Sequence, residues 1–197
     1  MAVVCPNCGA QYDATLFEFG RTVSCRCGRR VGLPLRVPWA TSTKPQRFLA
    51  DEMLGGLARW LRVIGYDTVW RRRTRDRDLV LQALGERRIL LTRDRNLVAS
   101  WWLDACYLVR NERPLEQLRE VVTHFDLDWR KHLLRRCTIC NAALVPLSPS
   151  ERPPGIPPAV AARTAAFRRC PSCERIYWEG SHTARMRNAL ERALDGA

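Results

Sequence analysis

Along the middle of the chain the hydrophobic positions switch between two textures. Short apolar runs stand at Phe48-Leu49-Ala50, at Tyr66 to Trp70, at Arg88-Ile89-Leu90-Leu91-Thr92 and at Ala105 to Arg110. Runs of that length read as strands buried in a sheet. Between them the apolar residues take helical spacing. Leu54, Leu57, Ala58 and Leu61 share one face of a helix expected over 53–64, with Arg59 and Arg62 on another face, and Gly65 stops it. Leu79, Val80, Ala83 and Leu84 mark a second helix that Asp76 can cap, and a short one is expected over 96–102. Pro114 opens a longer amphipathic helix through Leu115, Leu118, Val121, Val122 and Phe125. This alternation predicts an α/β fold with a mostly parallel sheet covered on both faces.

Outside that stretch the rhythm breaks. Residues 1–33 read as short strands, and Pro34, Pro38 and Pro45 around Thr41-Ser42-Thr43 mark a linker over 34–46. The α/β domain is then expected over 47–132 and a second small module over 133–180, with a Pro-rich insert at 149–158 as an exposed loop. A final helix over 181–197 carries Met186, Ala189, Leu190, Ala193 and Leu194 on one face, expected to pack back on the sheet domain.

The small modules are explained by cysteine. Eight of the nine cysteines form close pairs: Cys5 with Cys8, Cys25 with Cys27, Cys137 with Cys140, and Cys170 with Cys173. Two such pairs offer four thiolates from two tight turns, the ligand set of a closed tetrahedral zinc site, and metal binding gives folding free energy to segments too small for a core. Both sites are expected to be structural, each with four protein ligands. The second N-terminal pair is irregular, a Cys-x-Cys followed by Gly28. Cys106, unpaired in an apolar run, reads as a small buried hydrophobe.

Charge narrows the partner. There are 33 Lys+Arg against 20 Asp+Glu, a net +13, and only Lys44 and Lys131 are lysines. Such an excess favours a polyanion, most simply nucleic acid. No apolar run reaches the ~20 residues of a membrane span, and the first residues lack the pattern of a secretory signal, so a soluble, intracellular, cytoplasmic protein is expected.

In a parallel sheet, ligands bind beyond the carboxyl ends of the strands. Asp51 and Asp94 follow two predicted strands directly, and Asp76 follows a third one loop later. Converging there, the three would suit Mg²⁺ or Mn²⁺, ions that act on phosphoryl groups. Each aspartate alone also suits a helix cap, and Glu52 is a fourth candidate ligand. Gly55-Gly56 are expected to leave the N–H groups of the following helix approachable. Arg59, Arg62, Arg93 and Arg95 are candidates to hold an RNA backbone, while the run Arg71-Arg72-Arg73 with Arg75 reads equally as a solvated face.

These residues also carry a resemblance. The stretch from Phe48 through Asp51-Glu52-Met53-Leu54-Gly55-Gly56 to Arg62, then Gly65-Tyr66-Asp67-Thr68, resembles the opening of the Mut-7 C-terminal RNase domain family. So do Asp76-x-x-Leu79, Arg88 to Asp94, Arg136-Cys137-x-x-Cys140-Asn141, and Cys170-x-x-Cys173 through Ile176-Tyr177-Trp178 to His182. The resemblance, over roughly residues 47–187, implies a PIN-like fold with a zinc ribbon on its C-terminal side. It also implies metal-dependent RNA cleavage by Asp51, Asp76 and Asp94. Asn96 stands where related PIN-like sequences often carry Asp. His182 is open to a structural role at a helix start or a catalytic one. The N-terminal ribbon lies outside the resemblance, and both ribbons are expected to stabilise the termini and add RNA-contacting surface. Two rival readings are a non-catalytic RNA- or ribosome-binding protein on a degenerate core, and a toxin-like PIN protein held by an antitoxin-like partner.

Overall fold

The structure is a computed structural model, which describes residues 2–33, 46–148, 156, 160 and 166–195. The expected linker and most of the Pro-rich insert lie outside the described residues. The chain divides into two compact units, Met1–Gly55 with Val69–Arg110, and Gly56–Thr68 with Asn111–Ala197.

The first unit opens with two small antiparallel hairpins: β1 (Ala2–Val4) with β2 (Gln11–Asp13), and β3 (Thr22–Ser24) with β4 (Arg30–Gly32). Cys5, Phe17, Cys25 and Val31 form a buried cluster between them, packed by Val3, Ala10, Tyr12 and Val23. The main sheet follows, with β5 (Arg47–Ala50), β6 (Asp67–Trp70), β7 (Ile89–Thr92) and β8 (Cys106–Leu108) in the order β6-β5-β7-β8. Phe48 pairs with Ile89 and Leu90 with Cys106, both in parallel register. Phe48, Leu49, Ala50, Leu90 and Leu91 are fully buried, as apolar runs in a covered sheet must be. Helices α2 (Asp76–Gly85) and α3 (Arg95–Ser100) contribute Leu79, Val80, Ala83 and Leu97 to the core around Leu49 and Leu90. Cys106 packs against that core, and burial pushes its thiol up to about 12, so it is the apolar group expected.

Helix α1 (Gly55–Val63) buries Leu57, Ala58 and Leu61 on the predicted face. Gly65 ends it at φ +94°, and a Cβ there would stand 2.2 Å from the His132 carbonyl oxygen, so the turn admits glycine alone. The second unit adds α4 (Pro114–Phe125), the short strands β9 (Val145–Pro146), β10 (Phe167–Arg169) and β11 (Ile176–Trp178), and α5 (Ser181–Leu194). The three strands form one antiparallel sheet, and α5 packs on α4 with Leu190 buried. No helix among the described residues is long and apolar enough to cross a membrane.

Candidate active site and metal centres

The strand order reverses between β5 and β7, since β6 lies on one side of β5 and β8 beyond β7. A crevice at such a point is where an open parallel sheet takes its ligand. Asp51 is the residue after β5, and its N–H donates to the Leu91 carbonyl at 3.0 Å, keeping it against β7. Asp94 lies two residues beyond β7. A buried hydroxyl joins them: Thr92 Oγ1 donates to Asp51 Oδ2 at 2.7 Å and accepts from the Asp94 N–H at 2.9 Å. Asp51 Oδ1 accepts from the Glu52 N–H, and Asp94 Oδ1 caps α3 by accepting from Asn96 N–H at 2.7 Å.

Asp76 is the first residue of α2, not its cap; Arg75 holds that position without a side-chain capping bond. Partial burial pushes the Asp76 carboxyl up, and the charges of Asp94 and Asp51 push it further. Among the described residues no three carboxylate oxygens lie within 4.8 Å of one another, as the thiolates below do. The donors are all hard oxygens, the chemistry that suits Mg²⁺ or Mn²⁺.

The surrounding residues divide. Arg59 and Arg95 are exposed, and Arg93 is half-buried beside Asp94. Arg62 departs from its expected face. It is 6% exposed, and its guanidinium donates to the carbonyls of Thr68 at 2.8 Å, Thr138 at 3.1 Å and Ile139 at 2.8 Å. A buried guanidinium that serves three carbonyls is a structural clamp, which corrects its reading as an RNA contact. Gly55 is also corrected: a Cβ there would meet the Trp70 indole at 2.7 Å, so the glycine makes room for a ring. Glu52 Oε2 accepts from the Arg73 N–H at 3.0 Å, turning it towards the loop after β6. In that loop Arg71 donates to Gln82, Arg72 lies over Trp70, and Arg75 pairs with Asp78.

The cysteines gather as two sets, Cys5, Cys8, Cys25 and Cys27, and Cys137, Cys140, Cys170 and Cys173, each with all four sulfurs within 4.8 Å. Sulfur separations are 3.4 and 3.7 Å in the first and 3.3 and 3.5 Å in the second. Zinc with ~2.3 Å bonds sets tetrahedral sulfurs ~3.8 Å apart, so both sets fit the ion and could hold zinc. Three knuckles share one turn, in which the N–H of Gly9, Asn141 or Glu174 returns to the carbonyl of the first cysteine at 3.0 Å. The irregular pair closes one residue sooner, with Gly28 N–H on the Cys25 carbonyl at 2.8 Å. The residue ending each turn has positive φ, from 58° at Glu174 to 81° at Gly28. Thiolate character is favoured at Cys25, Cys27, Cys137 and Cys140 and opposed at Cys8 and Cys173. The Cys27 N–H and the Tyr12 hydroxyl lower Cys25 to about 6. Burial opposes ionisation of Cys137, but the Cys140 N–H, the Tyr177 hydroxyl at 3.0 Å and the Ile139 N–H outweigh it and hold the thiol at about 6.

The sequence model of the Mut7-C RNAse domain matches residues 46–190, which takes in Asp51, Asp76, Asp94 and the second cysteine set. The chain belongs to the Mut7-C RNAse domain family. No curated protein and no solved structure matches it. The first cysteine set lies outside the matched span of this Mut7-C chain. Sequence reasoning missed Thr92, whose signal was a hydroxyl at the last position of an otherwise apolar strand. Asp67, within the Gly65-Tyr66-Asp67-Thr68 stretch, is half-buried and accepts from Asn141 Nδ2 at 2.7 Å. His182 is exposed at the second position of α5.

Proposed function

We propose that this chain is a metal-dependent ribonuclease whose reaction centre is Asp51, Asp76 and Asp94. The observation that carries the reading is the joining of Asp51 and Asp94 through Thr92 at the point where the strand order reverses. Bound Mg²⁺ or Mn²⁺ supplies positive charge against the phosphoryl oxygens and acidifies water. The chain's own part is to hold the acids and aim them. Two hydrogen-bond donors, the Glu52 N–H and the Thr92 hydroxyl, fix the position of the Asp51 carboxylate. Asp94 is held by its cap on α3, which leaves Oδ2 for a ligand. Asp76 completes the set from α2. Arg59, Arg93 and Arg95 are the proposed contacts to the RNA backbone, as point charges that position the strand without reading its sequence. The two cysteine sets, loaded with zinc, hold the small modules in shape.

The test is digestion of a labelled RNA with Mg²⁺ or Mn²⁺ by the wild type and by Asp51→Asn and Asp94→Asn. The wild type is expected to yield 5′-phosphate and 3′-hydroxyl ends. Each variant is expected to fall by more than about a hundredfold, since even outer-sphere partners of a metal cost up to that much. Unchanged cleavage by both variants rejects the site. Tight, salt-sensitive RNA binding that no divalent ion converts into cleavage rejects the enzyme and leaves a binding protein.

A further inference from the structure

The first cysteine module sits on the same unit as the three acids, and its outer rim has the wrong chemistry for a surface that only needs to be wet. Phe19 is 42% exposed at φ +55°, a conformation that a bulky residue adopts only when the backbone demands it. Trp102 is 37% exposed. The backbone brings these aromatic residues together. The Trp102 N–H donates to the carbonyl of Gly20, the neighbour of Phe19, at 2.7 Å, and Arg21 bridges to Trp101. Between Gly20 and Leu33 the chain carries Arg21, Arg26, Arg29 and Arg30 and no carboxylate. Arg30 reaches inward to Thr22 at 3.1 Å, while Arg21, Arg26 and Arg29 are exposed. Glu18 precedes Phe19, but the arginines of 21–30 outnumber it, and flat apolar rings beside such cations are the make-up of a platform for unpaired bases: the rings stack on bases and the guanidinium groups follow the phosphates.

The module's seat gives that platform a direction. Thr22 Oγ1 donates to the Ala99 carbonyl at 2.9 Å, near the end of α3, and the same helix starts at its cap, Asp94. Six residues at ~1.5 Å each make α3 about 9 Å long. A short rigid helix thus separates the module from one of the proposed catalytic acids.

We infer that the N-terminal module, which the family match leaves out, forms a single-strand RNA platform together with Trp102 of the matched domain, with Phe19 and Trp102 as stacking residues and Arg21, Arg26 and Arg29 as phosphate contacts. This rests on the ribonuclease reading for its substrate and adds the strandedness: the RNA is unpaired where it meets the module. A duplex hides its base faces and gives the rings nothing to stack on.

The test measures binding to a fluorescent single-stranded oligouridylate of about twelve nucleotides, and to a duplex of the same length, within the site sizes usual for stacking surfaces. It uses the full-length chain with its zinc and no added Mg²⁺ or Mn²⁺, so that binding is read apart from cleavage. Phe19→Asn keeps the left-handed turn and removes the ring; Trp102→Leu keeps bulk against Gly32 and removes the indole; Phe19→Tyr restores a ring. Zinc content is checked for each. Single-strand affinity is expected to fall about fivefold or more for each ring lost, as stacking losses run, to stay near wild type in Phe19→Tyr, and to change little for the duplex. Single-strand affinities within twofold of wild type in both ring-loss variants overturn the proposal, as does equal loss on duplex and single strand. Loss of self-association in Phe19→Asn with RNA affinity unchanged also overturns it, and makes the rim a protein contact. If the platform fails while the wild type still cleaves RNA, the ribonuclease reading stands. If the wild type binds as expected and never cleaves, the ribonuclease reading fails and the platform stands.

Discussion

The two cysteine modules use the same four thiolates and join their units by opposite means. The N-terminal one has apolar residues of its own to bury, Phe17 and Val31 beside Cys5 and Cys25, and it meets the α3–β8 segment mainly through backbone. Among the described residues of 133–180, the only buried ones are Cys137 and Cys170. That module is held by polar side chains instead. Arg62 serves two carbonyls of its first knuckle, and Arg136 donates to the Gly65 carbonyl at 3.2 Å and the Asn141 carbonyl at 2.8 Å. Asn141 accepts from the Thr68 N–H at 3.0 Å. A module with an apolar cluster can lean on area, which is tolerant. One without it leans on metal and on directional bonds that fail singly.

The largest effect expected is therefore an unequal response to zinc loss. Cys170→Ser and Cys25→Ser should each lower zinc by one ion per chain. Structural zinc contributes about 10 kcal/mol or more to such modules, so both lose stability, and the C-terminal variant loses more because nothing apolar remains to hold its module. Metal analysis beside thermal melting reads this, and equal destabilisation would break the contrast. Next comes Arg62→Met, which leaves the buried Thr68 carbonyl and the part-buried Thr138 and Ile139 carbonyls without this donor. It should cost about 3 kcal/mol in urea titrations, at ~1–3 kcal/mol for each unsatisfied group, with zinc content unchanged. A cost below about 1 kcal/mol would mean water replaces the clamp. The smallest is Thr22→Val in the other module, which removes one hydrogen bond to Ala99 and should cost about 1 kcal/mol in the same measurement. A larger loss would show that the N-terminal module also hangs on directional bonds.

Much of the fold was legible because its signals are local. The strands at Phe48, Tyr66, Ile89 and Cys106 and the helices between them stand as their apolar spacing predicts, and the thiolates pair as their knuckles suggest. What failed needed distant partners. Arg62 reads as solvent-facing on a helical wheel because its neighbours are apolar, yet its acceptors lie 76 and 77 residues along the chain. Gly55 reads as an opening until the Trp70 ring is seen to fill the space. Strand order is a pairing between segments that are not neighbours in the chain, so no window of sequence states it. Of the candidate site, the acids were visible as strand-end residues, while the hydroxyl that ties two of them was not, because a threonine suits a strand for its shape alone.

That hydroxyl has a single proton, and the structure assigns it. Because Thr92 spends it on Asp51, it can only receive from the Asp94 amide, and the chain of bonds runs one way, from the start of α3 to the end of β5. A valine at 92 would fill the same volume and cut that wire, so the two strand ends would move independently of each other.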